Sequence, residues 1–269
     1  MQVTYRNLGN RRSARPAATT ATRGRAAVRL RKAGAEWNTR VELAALYRAF
    51  AHFGWADLTY THIAARAPQQ PDSFLIAPYG LLFEEVTASD LIRVGFDGSV
   101  SGDRCNEAGR LIHTAILRAR PQMNFALHSH TRAGMAVSAM ACGLLPLSQH
   151  AAVVLGTVAY HDFDAVEQDS EECNRMVADL GSSYLLVLRN HGLLACGRTA
   201  GEAFLFHYFL QRACEVQVDA LGGGACVKVA ESATQKLSEW GAPRAKPWGQ
   251  TQWEALLRAL DRQDRSFRN

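Results

Sequence analysis

Three histidines in this sequence have the spacing of metal ligands. His128 and His130 stand one residue apart in the apolar run Asn124-Phe125-Ala126-Leu127-His128-Ser129-His130. His191 lies in the turn Arg189-Asn190-His191-Gly192, after a second apolar run at residues 184–188. On a strand, side chains at i and i+2 share a face, so the paired imidazoles point one way and Ser129 the other. Two strand ends can bring three imidazoles to one point, and neutral imidazoles suit zinc, iron, manganese or cobalt. A His-x-His pair is also common in ordinary core strands, so spacing alone leaves a metal site and three unrelated histidines both open.

The elements that must position these residues follow from periodicity. Thr39-Arg40-Val41-Glu42 has capping-box spacing ahead of apolar residues at helical intervals, which predicts a helix closed by Gly54. Strands are predicted over residues 57–65, 74–77 and 91–96, the last followed by the turn signal Asp97-Gly98. Ala108, Leu111, Ile112, Ala115 and Ile116 recur at helical spacing over 106–120, and Pro121 follows. After the His128 strand come a predicted helix over 132–141, a strand-like stretch over 152–160 and a helix over 166–180. Strands at 184–188 and 193–196 flank His191. A second capping box, Thr199-Ala200-Gly201-Glu202, opens a long helix to about residue 220, and Gly222-Gly223-Gly224 breaks it. This alternation, without internal repeats, predicts one α/β domain with helices covering a central sheet.

Composition narrows the function classes. The 269 residues are 48% hydrophobic and 20% charged, values of a globular protein. No apolar run reaches the roughly 18 residues a membrane helix needs. Six cysteines without a Cys-x-x-Cys pair read as reduced thiols in a cytoplasmic setting. The net charge of +5 belongs to one end: residues 1–35 hold nine Arg or Lys and no acid, leaving 21 basic and 25 acidic residues elsewhere. Nucleic-acid binding by the body is therefore not expected. Residues 1–36 read as a disordered basic arm; an organellar transit peptide and an over-extended start share that composition. Residues 37–269 form the expected domain.

Beyond spacing, Leu127-His128-Ser129-His130-Thr131-Arg132-Ala133-Gly134-Met135-Ala136 resembles the metal-binding segment of the class II aldolase/adducin family. Asn190-His191-Gly192, with Gly197 and Ala203 downstream, is similar to that family's later Asn-His-Gly motif. Residues 74–80, 89–91 and 106–121 follow the family in order and spacing, and the closing Trp253-Glu254-Ala255-Leu256-Leu257-Arg258 resembles its adducin-like branch. The resemblance spans roughly residues 38–262. It implies a three-layer α/β/α sandwich on a largely antiparallel sheet, a homotetramer with sites between subunits, and one divalent metal ion held by His128, His130 and His191. Zinc is the metal expected first, with Fe(II) or Mn(II) as alternatives.

Departures from that family shape the expected chemistry. Its sugar-phosphate aldolases carry a Glu nineteen residues before the first histidine, and Gly109 stands there. Their phosphate-binding pairs fall at Thr61-His62, at Tyr79-Gly80 and near Glu107-Ala108, which argues against a sugar-phosphate substrate. Three imidazoles without a carboxylate leave a divalent ion with an open position, the layout of catalytic zinc. The reading is a metal-dependent carbon–carbon lyase, working by retro-aldol cleavage or decarboxylation through a metal-stabilised enolate, on an unphosphorylated small-molecule hydroxy- or keto-acid. Alternatives are a non-haem iron oxygenase and a non-catalytic adducin-like interaction module. Glu107 is the nearest candidate acid/base, and a solvated residue in a first helical turn otherwise. His113, Tyr79, Gly109 and Asn190 are candidates for the surrounding pocket. Gly109 either leaves room beside the metal or serves close helix packing.

Overall fold

Short strands with alternating apolar faces build the sheet. In the computed structural model, which describes residues 34–102, 104–162 and 170–269, they are β1 (Ile63–Arg66), β2 (Ser73–Ile76), β3 (Ile92–Gly95), β4 (Phe125–Ser129), β5 (Val158–His161), β6 (Leu185–Leu188) and β7 (Gly192–Gly197). Their order is β3-β2-β1-β4-β7-β6-β5. Every neighbouring pair is antiparallel except β5 with β6. The helices are α1 (Ala35–Phe53), α2 (Glu107–Ala119), α3 (Arg132–Ser138), α4 (Gln149–Val154), α5 (Ser170–Leu180), α6 (Ala200–Gly222), α7 (Glu231–Gly241) and α8 (Gln250–Gln263).

Period-2 alternation divides the buried residues between two cores. Ala64, Phe74, Ile76 and Ala126 face a core that Ile112 and Ile116 of α2 complete. Ile63, Ala65, Leu75 and Leu127 face the opposite core, filled by Leu43, Leu46 and Phe50 of α1. The result is the expected α/β/α sandwich on a largely antiparallel sheet. His128 has the parity of Ala126, so it opens on the α2 side, while Ser129 turns the other way to meet His207 Nε2 at 3.2 Å. Residues 35–269 form one compact unit.

Four local expectations change, the first being the strand expected over 57–65, of which only residues 63–65 are strand, with β1 running on to Arg66. Thr39 does not cap α1, which opens four residues earlier; its hydroxyl donates back to the Ala35 carbonyl at 3.2 Å. The strand-like stretch over 152–160 is split, because the Ser148 side chain accepts from Ala151 N and starts α4 before β5 begins at Val158. The helix expected over 132–141 is α3, which stops at Ser138. The second capping box forms as read, with Thr199 accepting from Glu202 N at 3.1 Å, and Asn106, not read as a cap, also starts α2 by accepting from Gly109 N at 2.9 Å. Residues 1–33 of the expected arm, and 166–169 of the helix expected over 166–180, lie outside the described residues. No described helix is long and apolar enough to cross a membrane. All six cysteines are free thiols.

Candidate metal centre

The antiparallel pairing of β4 with β7 puts His128 opposite Leu194 and Ser129 opposite Leu193, so the β4 end and the turn before β7 meet. One ligand atom from each of His128, His130 and His191 lies within 4.8 Å of the other two. His130 Nε2 is 2.8 Å from both His128 Nε2 and His191 Nε2. Asn190 adopts φ +56°, a left-handed conformation that Asn tolerates better than most residues, and this turns His191 back toward β4.

The glycine of Asn-His-Gly has a steric reason. A Cβ on Gly192 would sit 2.3 Å from the Ser129 carbonyl oxygen and 3.2 Å from His130 Cδ2. Backbone cannot swing aside as a side-chain tip can. Gly192→Ala is therefore expected to push β7 from β4, lower the thermal midpoint by roughly 5–10 °C and weaken metal retention. Differential scanning calorimetry with metal analysis on one sample checks it, and an unchanged midpoint would refute the close-approach account.

The donor set fits a divalent ion. A ligating histidine usually donates its other ring N–H to a carbonyl or carboxylate, which fixes the tautomer. His128 Nδ1 is 3.0 Å from the Leu193 carbonyl, and His130 Nδ1 is 3.2 Å from Asp57 Oδ2. Both Nε2 lone pairs are thereby turned to the common point. Burial first, then the neighbouring histidines, hold His128 well below its ordinary range, so it is neutral and able to ligate. Imidazole–zinc bonds are about 2.0–2.1 Å, and a small outward tilt of the rings would admit such an ion.

Around this cluster the structure adds a residue that the sequence reading placed only at a phosphate-binding position of the aldolases. His62, just before β1, is 3% exposed, and its ring centroid lies 4.9 Å from that of His128. Its Nδ1 meets His113 Nε2 at 2.9 Å. His113 itself is fully buried on α2. Gly109 does not open space beside the histidines: a Cβ there would lie 2.9 Å from His62 Cγ and 3.0 Å from Cδ2. Gly109 is closely packed, with the His62 imidazole as its neighbour.

The remaining candidates lie apart in their contacts. Glu107 binds Arg110 Nε at 2.9 Å and its side chain is 57% exposed. That hydrogen bond holds the carboxyl below its usual range, so Glu107 is a surface ion pair. Tyr79 is 43% exposed, and its backbone N–H donates to the Arg104 carbonyl. Asp57, read only as part of a strand, instead orients His130. On another side, His191 lines a small cavity with Glu172 and Cys173, where buried His161 bonds Glu172 and Asp179 at 2.7 Å each. The pairing of His161 with Glu172 was hidden from the sequence reading because it depends on α5 packing back against β5.

Fold and cluster together define an α/β/α protein with a three-histidine centre of metal-ligand spacing. The chain belongs to the class II aldolase and adducin family: residues 41–218 match the class II aldolase and adducin N-terminal domain. A Pseudomonas aeruginosa protein whose name places it in aldolase class 2 is 45% identical over 251 residues, 90% of this chain and 96% of that protein. Rat alpha-adducin is 41% identical over 242 residues, 82% of this chain, and the match spans 33% of the adducin. Among solved structures, an aldolase II superfamily protein from Pseudomonas syringae superposes with TM-score 0.85 at 41% identity, covering 90% of this chain and all of that one. An L-fuculose 1-phosphate aldolase from Glaciozyma antarctica gives TM-score 0.77 at 26% identity, covering 95% and 97% of the two chains.

Proposed function

We propose that the protein is a metal-dependent carbon–carbon lyase acting on an unphosphorylated 2-hydroxy- or 2-keto-acid, and that it works as a homotetramer. The observation that carries this reading is the convergence of three imidazoles with no carboxylate among them. A divalent ion held there, zinc first among the choices, supplies Lewis acidity toward an oxygen-bearing substrate. The chain's own part is to present the Nε2 lone pairs of His128 and His130, fixed by Leu193 and Asp57, and to leave coordination positions unfilled. Glu107 is too engaged with Arg110 to be favoured for proton transfer. The identity to alpha-adducin favours a second reading, a binding module without chemistry.

Metal analysis separates the two. Protein purified without a histidine tag is expected to hold about one metal ion per chain, and His128→Ala, His130→Ala or His191→Ala to hold almost none while remaining folded. A native protein that takes up no zinc, manganese or iron from solution would refute the lyase and leave the binding module.

Sugar phosphates are expected to be poor substrates. Glu107 would bring negative charge where a phosphate binds in the aldolases. The similarity to an L-fuculose 1-phosphate aldolase makes that compound the sharpest test. Cleavage at rates typical of enzymes, about 1 per second or faster, would overturn this part of the reading.

A further inference from the structure

His62 has two ring nitrogens, and its surroundings decide which one carries the proton. Nδ1 is 2.9 Å from His113 Nε2, so one of these two atoms donates and the other accepts. His113 Nδ1 is buried with no hydrogen-bond partner among the described residues. Burial pushes His113 down to about 3, its bond to the His62 carbonyl opposing, so the ring is neutral and holds a single proton. Placed on Nδ1, that proton would be a buried donor without an acceptor, the rarer and costlier kind of orphan. Placed on Nε2, it is donated to His62 Nδ1. His62 Nδ1, accepting that bond, bears no proton, so the ring carries its own on Nε2.

That outer edge is turned from His113. The His62 ring lies against His128, and its carbonyl accepts from His128 N at 3.1 Å. Gly109 packs so close to Cγ and Cδ2 that the ring cannot retreat toward α2. A protonated Nε2 cannot ligate a metal. It can donate to an oxygen that the metal site receives.

We propose that His62, locked by His113 as the Nε2–H tautomer, is a substrate-binding residue that donates a hydrogen bond to a carboxylate oxygen of a 2-hydroxy- or 2-keto-acid seated at the His128–His130–His191 centre. This rests on the metal-site reading given above. It gives the acid specificity a physical source: a fixed N–H donor favours an anionic acceptor oxygen over a neutral hydroxyl.

Two substitutions separate the two edges of the ring. His62→Gln places an amide N–H near the Nε2 position and gives up the bond to His113. His62→Asn keeps an acceptor near Nδ1 for His113 and removes the outer donor. Cobalt(II)-loaded protein is titrated with glycolate, the simplest 2-hydroxy acid, and followed by its visible spectrum. Both variants are expected to hold as much cobalt as the unaltered protein. The glycolate dissociation constant should rise roughly 10- to 100-fold in His62→Asn and by less than about threefold in His62→Gln. Equal weakening in both variants would make His62 a packing residue, and no weakening in His62→Asn would remove it from the binding site. Loss of cobalt from His62→Asn would make it a ligand. Each of these overturns the inference and leaves the metal site standing, whereas failure of the unaltered protein to bind cobalt overturns both.

Discussion

Gly109→Glu is expected to lower the thermal midpoint by roughly 5–10 °C, and cutting back His62 in the same chain should recover most of the loss. The new Cβ would lie 2.9 Å from His62 Cγ, well inside contact distance. The ring cannot yield cheaply, because His113 holds one edge and His128 lies against it. Overpacking of this kind costs about 1–3 kcal/mol, against a helix-propensity gain of less than about 1 kcal/mol. In His62→Ala with Gly109→Glu the ring volume is free, and the carboxylate can turn toward the three histidines. That double variant should retain metal against a chelator better than His62→Ala alone, since a carboxylate near a divalent cation is strongly attracted in a low-dielectric site. A double-mutant cycle on thermal stability should show a favourable interaction above about 1 kcal/mol. Additive effects of the two substitutions would mean that the introduced carboxylate side chain and the His62 ring do not compete for one space.

How far the sequence discloses this site depends on the range of each contact. His128 and His130 are legible because strand period is local: two residues on, the same face returns. Asn190-His191-Gly192 is legible as a turn, although the reason for its glycine, the approach to Ser129, appears only with the β4–β7 pairing. His62 has no such local sign. It reaches His128 because Ile63 pairs with Leu127, far along the chain, and strand register across that distance is not written in either segment alone. A weak signal did exist: His62 has the parity of Ala64, on the same sheet face as Ala126 and His128. The strand expected over 152–160 failed for a different reason. Val153 and Val154 favour strand by propensity, yet the Ser148 cap and burial of Ala151 to Val154 between α6 and α7 win there, and the strand begins only at Val158. Thr39 shows that capping-box spacing is no guarantee of a cap when the preceding residues also continue the helix.

Acid should unfold the metal-free protein beginning well above the carboxylate range. Burial pushes His113 and His207 down to about 3 each, from an ordinary value of 6.5. Between those values the unfolded chain binds protons that the folded chain refuses. Stability from these groups is therefore full above pH 6.5 and is lost as pH falls toward 3. Each group costs about 1.4 kcal/mol per pH unit in that window, so the pair costs roughly 3 kcal/mol per unit. His62 and His128, also held well below their ordinary range by burial, steepen the slope once chelation has removed any ion. Against a net stability of about 5–15 kcal/mol, the fold should give way within a few units. Carboxylates held low by partners, such as Asp261 beside Arg268, add their loss only nearer about pH 4, so an earlier onset identifies the imidazoles. Urea midpoints of chelator-treated protein at about pH 7, 6 and 5 measure the slope. His207→Gln retains a partner for the Ser129 hydroxyl, now 3.2 Å from His207 Nε2, but cannot titrate. It should remove about 1.4 kcal/mol per pH unit from that slope. A stability flat across that range would show that these histidines reach water before the fold opens.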